Sequence, residues 1–195
     1  PYNSDLDFGT GDFCVMGWVK APAVGDFVLS RLATDGSGNG WFLYVDGGGV
    51  LAFYTRTGGG NAKRVDTTTP VNVSNWSQFT FVRRNGVFEA YANGRLEDTL
   101  SASFDVTNTS AILRVGEGIY SSNPVNGSLA LLRISATAPT AEQISRIYND
   151  EKHLFTEGSQ ATLYGSSDAV TALAHDDATN LLHVGTSAGR SVFQG

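Results

Sequence analysis

Two Asn-Gly pairs, Asn85-Gly86 and Asn93-Gly94, constrain this chain more than any other feature. Alternating runs flank them, from Trp76 to Arg84, from Val87 to Ala92, and from Arg95 to Leu100. A two-residue hairpin loop that follows the twist of its strands needs positive φ at both central residues, which Asn-Gly supplies at little steric cost. The spacing therefore predicts an antiparallel meander. Phe79 and Phe81 share one face of its first strand, and Gln78, Thr80 and Val82 share the other. After the turn, Val87, Glu89 and Tyr91 alternate with Phe88, Ala90 and Ala92. So heavy an aromatic load places the meander at the centre of a large sheet.

The rest of the chain carries the same signature. Phe13 to Lys20 is apolar on both faces, with Phe13, Val15 and Val19 on one and Cys14, Met16 and Trp18 on the other, as for a strand lying between layers. Phe27 to Leu32 follows as a short strand, and Asp35 to Gly40 as a turn. Trp41 to Asp46 and Val50 to Thr55 form a hairpin across Gly47, Gly48 and Gly49, and Lys63 to Thr67 is a polar strand. Leu113 to Gly116 and Ser128 to Ser135 complete about ten short strands, the mark of a sandwich or jelly roll. One helix is predicted. Thr140 at its N-cap and Gln143 three residues on make a capping box after Pro139, with Ile144, Ile147 and Tyr148 as the apolar stripe and an end near Lys152.

Beyond Gly158 the pattern changes to one further hairpin, Ala169 to His175 and Leu181 to Gly185, with Gly189 to Phe193 starting a third strand. The expected organisation is a β-sandwich over residues 1–157 and a small appendage over 158–195. Two or three strands are marginal alone, so the appendage is expected to pack on the sandwich, on another subunit, or on residues outside this sequence.

The 195 residues include 23 glycines that fall between the apolar alternations, as tight turns require. The net charge of −6 disfavours nucleic acid and anionic membrane surfaces as partners. No run reaches the length of a membrane span, so no membrane insertion is expected. The single cysteine, Cys14, lies in an apolar run and reads as a buried, inert thiol, and it excludes an internal disulfide framework.

Three segments carry a family resemblance: Leu6 to Phe13 running into Gly17-Trp18-Val19-Lys20; Trp76 to Thr80 with Tyr91-Ala92-Asn93-Gly94; and Asn126 to Leu129, Leu132 to Ile134, and Ala138 to Ile144 with Tyr148. Their order and content resemble a laminin G-like module of the concanavalin A-like lectin and glucanase superfamily. The resemblance implies an all-β, antiparallel jelly-roll sandwich with one short C-terminal helix and an appended β-hairpin. Many relatives have an acidic residue soon after the Asn-Gly-Ser of the last core strand, in some of them near a calcium ion. Here Ala130 holds that place. Together with the Leu182 to Ser187 segment, the module also resembles parts of bacteriophage tail fibres and virion adhesins.

Several clusters are candidates for chemistry. Retaining glucanases of the superfamily need two carboxylates on alternate positions of one strand, and the pattern Glu-x-Asp-x-x-Glu is missing from the sequence. No enzyme activity is expected. Asp35, Ser37 and Asn39, with Asp46 at the twelfth position, match the ligand spacing of a calcium loop. A hairpin loop rich in positive-φ residues explains the same pattern, because residues 41–46 alternate as a strand where a calcium loop would enter a helix. Sugar sites pair an aromatic face with groups that fix hydroxyls. Trp41, Tyr54, Arg56, Asn61, Tyr120 and Asn123 supply those types beside glycine turns, with core packing as the other reading of Trp41. Arg83-Arg84 and Lys63-Arg64 read as solvated strand positions whose members face opposite ways.

These observations lead to a non-catalytic carbohydrate-binding or adhesion module whose partner is a cell-surface glycan. A homo-oligomer, such as a trimer, on a virion or extracellular surface is expected. A spacer or decoration domain making only protein–protein contacts is the alternative, with a divergent glycosidase as a third reading.

Overall fold

The computed structural model describes residues 2–71, 73–119, 124–156, 163 and 169–194, apart from the side chains of residues 62, 63 and 194. By its internal contacts the chain divides into two units, Pro1–Arg146 and Ile147–Gly195. Among the described residues, ten strands belong to the first: β1 (Phe13–Lys20), β2 (Phe27–Ala33), β3 (Gly40–Val45), β4 (Leu51–Thr57), β5 (Gly60–Asp66), β6 (Ser77–Arg84), β7 (Val87–Ala92), β8 (Arg95–Ser101), β9 (Ala111–Val115) and β10 (Ser128–Ser135).

They form two antiparallel sheets, ordered β10-β1-β6-β7-β8 and β5-β4-β3-β2-β9. The meander is the centre and one edge of the first sheet. Its two turns have the left-handed geometry that Asn-Gly favours: φ is 50° and 77° at Asn85 and Gly86, and 49° and 75° at Asn93 and Gly94.

The sheets meet across an aromatic core. The Phe53 ring of β4 stacks on the Phe81 ring of β6, centroids 5.4 Å apart, and Phe13 of β1 lies 6.4 Å from Trp41 of β3. Phe79, Phe88, Leu43 and Val65 fill the same layer. The alternation predicted for β1 and β6 is the one observed, and the other faces of these strands are closed as well. Cys14, Met16, Trp18, Gln78, Thr80 and Val82 are all buried. The expected jelly-roll sandwich is thus what forms.

Arg83 departs from its sequence reading. It and Arg84 face opposite ways as predicted, but Arg83 is 1% exposed and inside the sandwich. Its guanidinium lies 4.9 Å from the Phe13 centroid and donates to the carbonyls of Gly11, Phe104 and Gly9. Those acceptors sit on loops some seventy and twenty residues away in sequence, so local pattern held no sign of them. Arg31, equally buried, pairs with Asp7 at 2.8 Å and donates to the Val106 carbonyl.

The predicted helix is α1 (Ala141–Glu151), which runs across the boundary between the units. Its capping box closes both ways: Thr140 N donates to Gln143 Oε1 at 2.8 Å, and Gln143 N to Thr140 Oγ1 at 3.2 Å. Ile144 is fully buried.

In the second unit the appendage is a three-stranded antiparallel sheet, β11 (Val170–Asp176), β12 (Leu181–Thr186) and β13 (Gly189–Gln194), in that order. Val170, Leu173, Leu182 and Val192 remain exposed on it.

Candidate functional site

The outer faces of the two large sheets differ. On the first, Gln78 Nε2 donates to Thr80 Oγ1, and Glu89 accepts from Tyr91 Oη at 2.6 Å and from Arg84 Nη1 at 3.2 Å. With Trp18, Thr80 and Tyr91 all buried, this face offers little to a ligand. On the outer face of the second sheet Ser30, Phe42 and Ala52 are buried, while Tyr44, Tyr54, Arg56, Arg64 and Asp66 reach solvent.

Strand register builds that face. One row crosses all five strands: Arg114 of β9, Ser30 of β2, Phe42 of β3, Tyr54 of β4 and Arg64 of β5 are successive cross-strand partners. The neighbouring row is Phe27, Tyr44, Ala52 and Asp66. On the other side, Arg56 pairs with Gly40 and Asn61. Residues two apart on a strand point the same way, so Tyr54 and Arg56 share this face, while Trp41, Leu43 and Val45 turn into the core.

The rings pack on one another. Tyr54 stacks on Phe42 at 4.8 Å with 6° between planes, and its edge meets Tyr44 at 6.5 Å. Phe27 lies 5.4 Å from both Phe42 and Tyr44. Phe42 is buried within the cluster, Tyr44 and Tyr54 are half-buried, and Arg64 Cζ lies over the Tyr54 ring, 5.4 Å from its centroid.

Charge is organised around Arg64. Its Nε donates to both Asp66 oxygens at 2.7 and 2.6 Å, Nη1 to Tyr54 Oη at 2.8 Å, and Nη2 to Asp46 Oδ2 at 3.0 Å. Burial works against ionisation of Asp46, but bonds from Gly48 N and Arg64 outweigh it and hold its carboxyl below the usual range. Asp66, then Asp46, push the Arg64 guanidinium further up, against desolvation. The result is a preorganised cluster in which one guanidinium bridges two carboxylate acceptors beside the Tyr54 ring.

Several predicted site residues change place. Tyr54, Arg56 and Asn61 are brought together on this face. Trp41 is not: it is fully buried against Phe13 and Phe53, because the alternation of β3 sends it inward, and it presents no surface to a sugar. Tyr120 and Asn123 lie outside the described residues.

The calcium set does not assemble either. Asp35, Ser37 and Asn39 sit before β3 and Asp46 just after it, and six residues of strand span about 20 Å. Asp35 Oδ1 caps Ser37 N, Asn39 Nδ2 bonds the Asp105 carbonyl, and Asp46 belongs to the Arg64 cluster. Among the described residues, no group of three or more His, Cys, Asp or Glu could hold a metal ion.

Phe27, Phe42, Tyr44, Arg64 and Asp66 were not among the predicted site residues. The available signal was the alternation of Phe42, Tyr44 and Tyr54 opposite the core-facing side of one hairpin.

Comparison with known proteins agrees with this architecture. A family profile for the concanavalin A-like lectin/glucanases superfamily, of laminin G type, matches residues 2–145. No curated protein matches. Among solved structures, the binding domain of Paraclostridial mosquitocidal protein 1 superposes with a TM-score of 0.61 at 17% identity, covering 76% of this chain and 39% of that one. Domain 4 of AbnA, an extracellular arabinanase from Geobacillus stearothermophilus solved with arabinotriose, gives 0.59 at 21% identity, covering 72% and 68%. The CBM40 of Ruminococcus gnavus IT-sialidase, bound to α2,3 sialyllactose, gives 0.60 at 14% identity, covering 72% and 84%. Identities this low speak for the fold. With its profile match spanning most of the sequence, the chain belongs to the concanavalin A-like lectin/glucanases superfamily, as a laminin G-like member.

Proposed function

We propose that this chain is a non-catalytic carbohydrate-binding module that holds a glycan across the outer face of the β5-β4-β3-β2-β9 sheet. The observation that carries this reading is the pair of half-buried rings Tyr44 and Tyr54, Tyr54 stacked on Phe42 and held by Arg64, beside the Asp46 and Asp66 carboxylates. A sugar's apolar face packs on the exposed part of such a ring while its hydroxyls meet the two carboxylates. Arg56 and Asn61 extend the polar border. A structural neighbour solved with arabinotriose and a CBM40 bound to sialyllactose support the substrate class.

The face supports binding better than hydrolysis. Asp46 and Asp66 are its close carboxylate pair, and one guanidinium bridges them. A general acid has to keep its proton near neutral pH, whereas the Asp46 carboxyl is held ionised. The expected setting is a virion or other extracellular surface, supported by the resemblance of Leu182 to Ser187 to tail-fibre segments. A glycan array tests the reading: at least one oligosaccharide should bind and Tyr54→Ala should abolish the signal, while silence across the array would refute it.

A second reading, contact with other copies of the chain, has its own support in Leu173 at 66% and Val170 at 48% exposure on a three-stranded sheet. Multivalent display on a homo-oligomer such as a trimer would strengthen weak single sites. Light scattering should then give a multiple of the 20.7 kDa chain mass, and a strict monomer would remove this reading.

A further inference from the structure

The face carries ionised groups of both signs, and their arrangement bears on which sugars it accepts. Arg64 is the cation beside the exposed part of Tyr54, and its donors are already directed inward: Nε to Asp66, Nη1 to Tyr54, and Nη2 to Asp46 and Asp66. It therefore lacks the free parallel N–H pair with which arginine grips a carboxylate or sulfate. Two carboxylates surround that single guanidinium, leaving one surplus negative charge in the cluster. The Asp46 and Asp66 side chains are 20% and 27% exposed, so their field reaches a bound ligand.

Arg56 and Arg114 keep their own positive charge on this face, but the donors the structure places are directed at the protein. Arg114 spends Nη1 on the Leu32 carbonyl and Nη2 on Thr34 Oγ1. Arg56 donates through Nη2 to the Gly59 carbonyl, and its Nε is buried away from any ligand. An ionised carboxylate only accepts hydrogen bonds, so Asp46 and Asp66 suit hydroxyl donors and repel a second anion.

We propose that this face selects uncharged saccharides and turns away carboxylated and sulfated ones. The inference rests on the glycan-binding reading of the same face. Hydroxyls of a neutral sugar donate to the spare lone pairs of Asp46 and Asp66 while its ring covers Tyr54. An acidic sugar brings its charge against theirs with no free cationic fork to receive it.

Matched pairs on one array test this: dextran with dextran sulfate, cellohexaose with its carboxymethylated counterpart, and lactose with sialyllactose. Within each pair that binds, the neutral member should bind about ten-fold or more tightly, since like charges set side by side cost at least that factor. High salt should narrow the gap, as should the double variant Asp46→Asn, Asp66→Asn. Should that variant not fold, the salt dependence of the unaltered protein still reports the sign. An acidic member that binds as tightly as its neutral partner, or more so, with binding lost in Tyr54→Ala or Arg56→Gln, overturns the selectivity and leaves the glycan-binding reading standing. No binding by any member of any pair overturns the binding reading and the selectivity with it.

Discussion

The Tyr54 ring lies flat on Phe42, 4.8 Å between centroids and 6° from parallel, while its hydroxyl accepts a 2.8 Å hydrogen bond from Arg64. Packing fixes the plane of the ring and the bond fixes its rotation. A ring held this way meets a sugar without losing conformational freedom, the condition under which stacking contributes most. Replacing Tyr54 by Ala should weaken glycan binding by about 2 kcal/mol, roughly thirty-fold, with circular dichroism unchanged. Tyr54→Phe keeps the stack and loses one hydrogen bond, so it should stay within about 1 kcal/mol of the parent. Titration calorimetry separates the two variants.

Arg83 should matter for stability. It holds the Phe8–Gly11 segment and the loop at Phe104 through backbone carbonyls, and it stacks on Phe13 and Phe88. Arg83→Met fills much of the volume but takes the guanidinium donor from the Gly11 and Phe104 carbonyls and unties both segments, while the Phe8 and Gly9 carbonyls keep their backbone partners. The expected loss is about 3 kcal/mol or more in urea denaturation. Arg83→Lys should recover little of it, because an ammonium cannot reproduce the planar fork.

How far the sequence carried can be judged from particular residues. Asn85-Gly86, Asn93-Gly94 and the Thr140–Gln143 box are local devices, and each appears where the spacing put it. Alternation assigned the two faces of β1 and β6 correctly. Which strands would be neighbours was not legible: β2 pairs with β9 and β1 with β10 over most of the domain, and no local period encodes such pairings. The aromatic face depends on them, since Phe27, Phe42, Tyr44 and Tyr54 come from three strands. Of the two readings open for Trp41, core packing is the one observed. A tryptophan beside a glycine turn looks like a surface ring until the strand's inward side is known. Arg31 and Arg83 were illegible because their partners are carbonyls and a carboxylate on distant loops.

Glu97 gives the fold an acid-sensitive clasp. Its carboxylate accepts from Thr68 N and Thr69 N at 2.6 and 3.0 Å and from Thr69 Oγ1, tying β8 to the segment after β5. Burial alone would raise its pKa, but the Thr69 and Thr68 bonds prevail and lower it from 4.5. A lowered folded-state pKa stabilises above the unfolded value, and that contribution disappears as pH falls through the folded one. Relative to Glu97→Gln, the parent should therefore be more stable at neutral pH and lose that advantage below about pH 4.5. Urea midpoints of both proteins across this range measure it.

Cys14 should be inert in the folded chain. Burial pushes its thiol up to about 12, with Arg84 and Arg133 opposing the shift only in part. A thiol-reactive disulfide reagent should find no reactive group in the native protein at neutral pH, and one equivalent in denaturant.

The proposed glycan site is the outer face built by β3, β4 and β5. The most direct measurement is an NMR titration of the isotope-labelled chain with the tightest-binding neutral oligosaccharide from the array. Shift changes should be concentrated at Tyr44, Tyr54, Arg56 and Arg64, with the Tyr54 ring protons moving most. Changes centred on the 34–39 loop or on the β10-β1-β6-β7-β8 sheet, with Tyr54 unmoved, would contradict it.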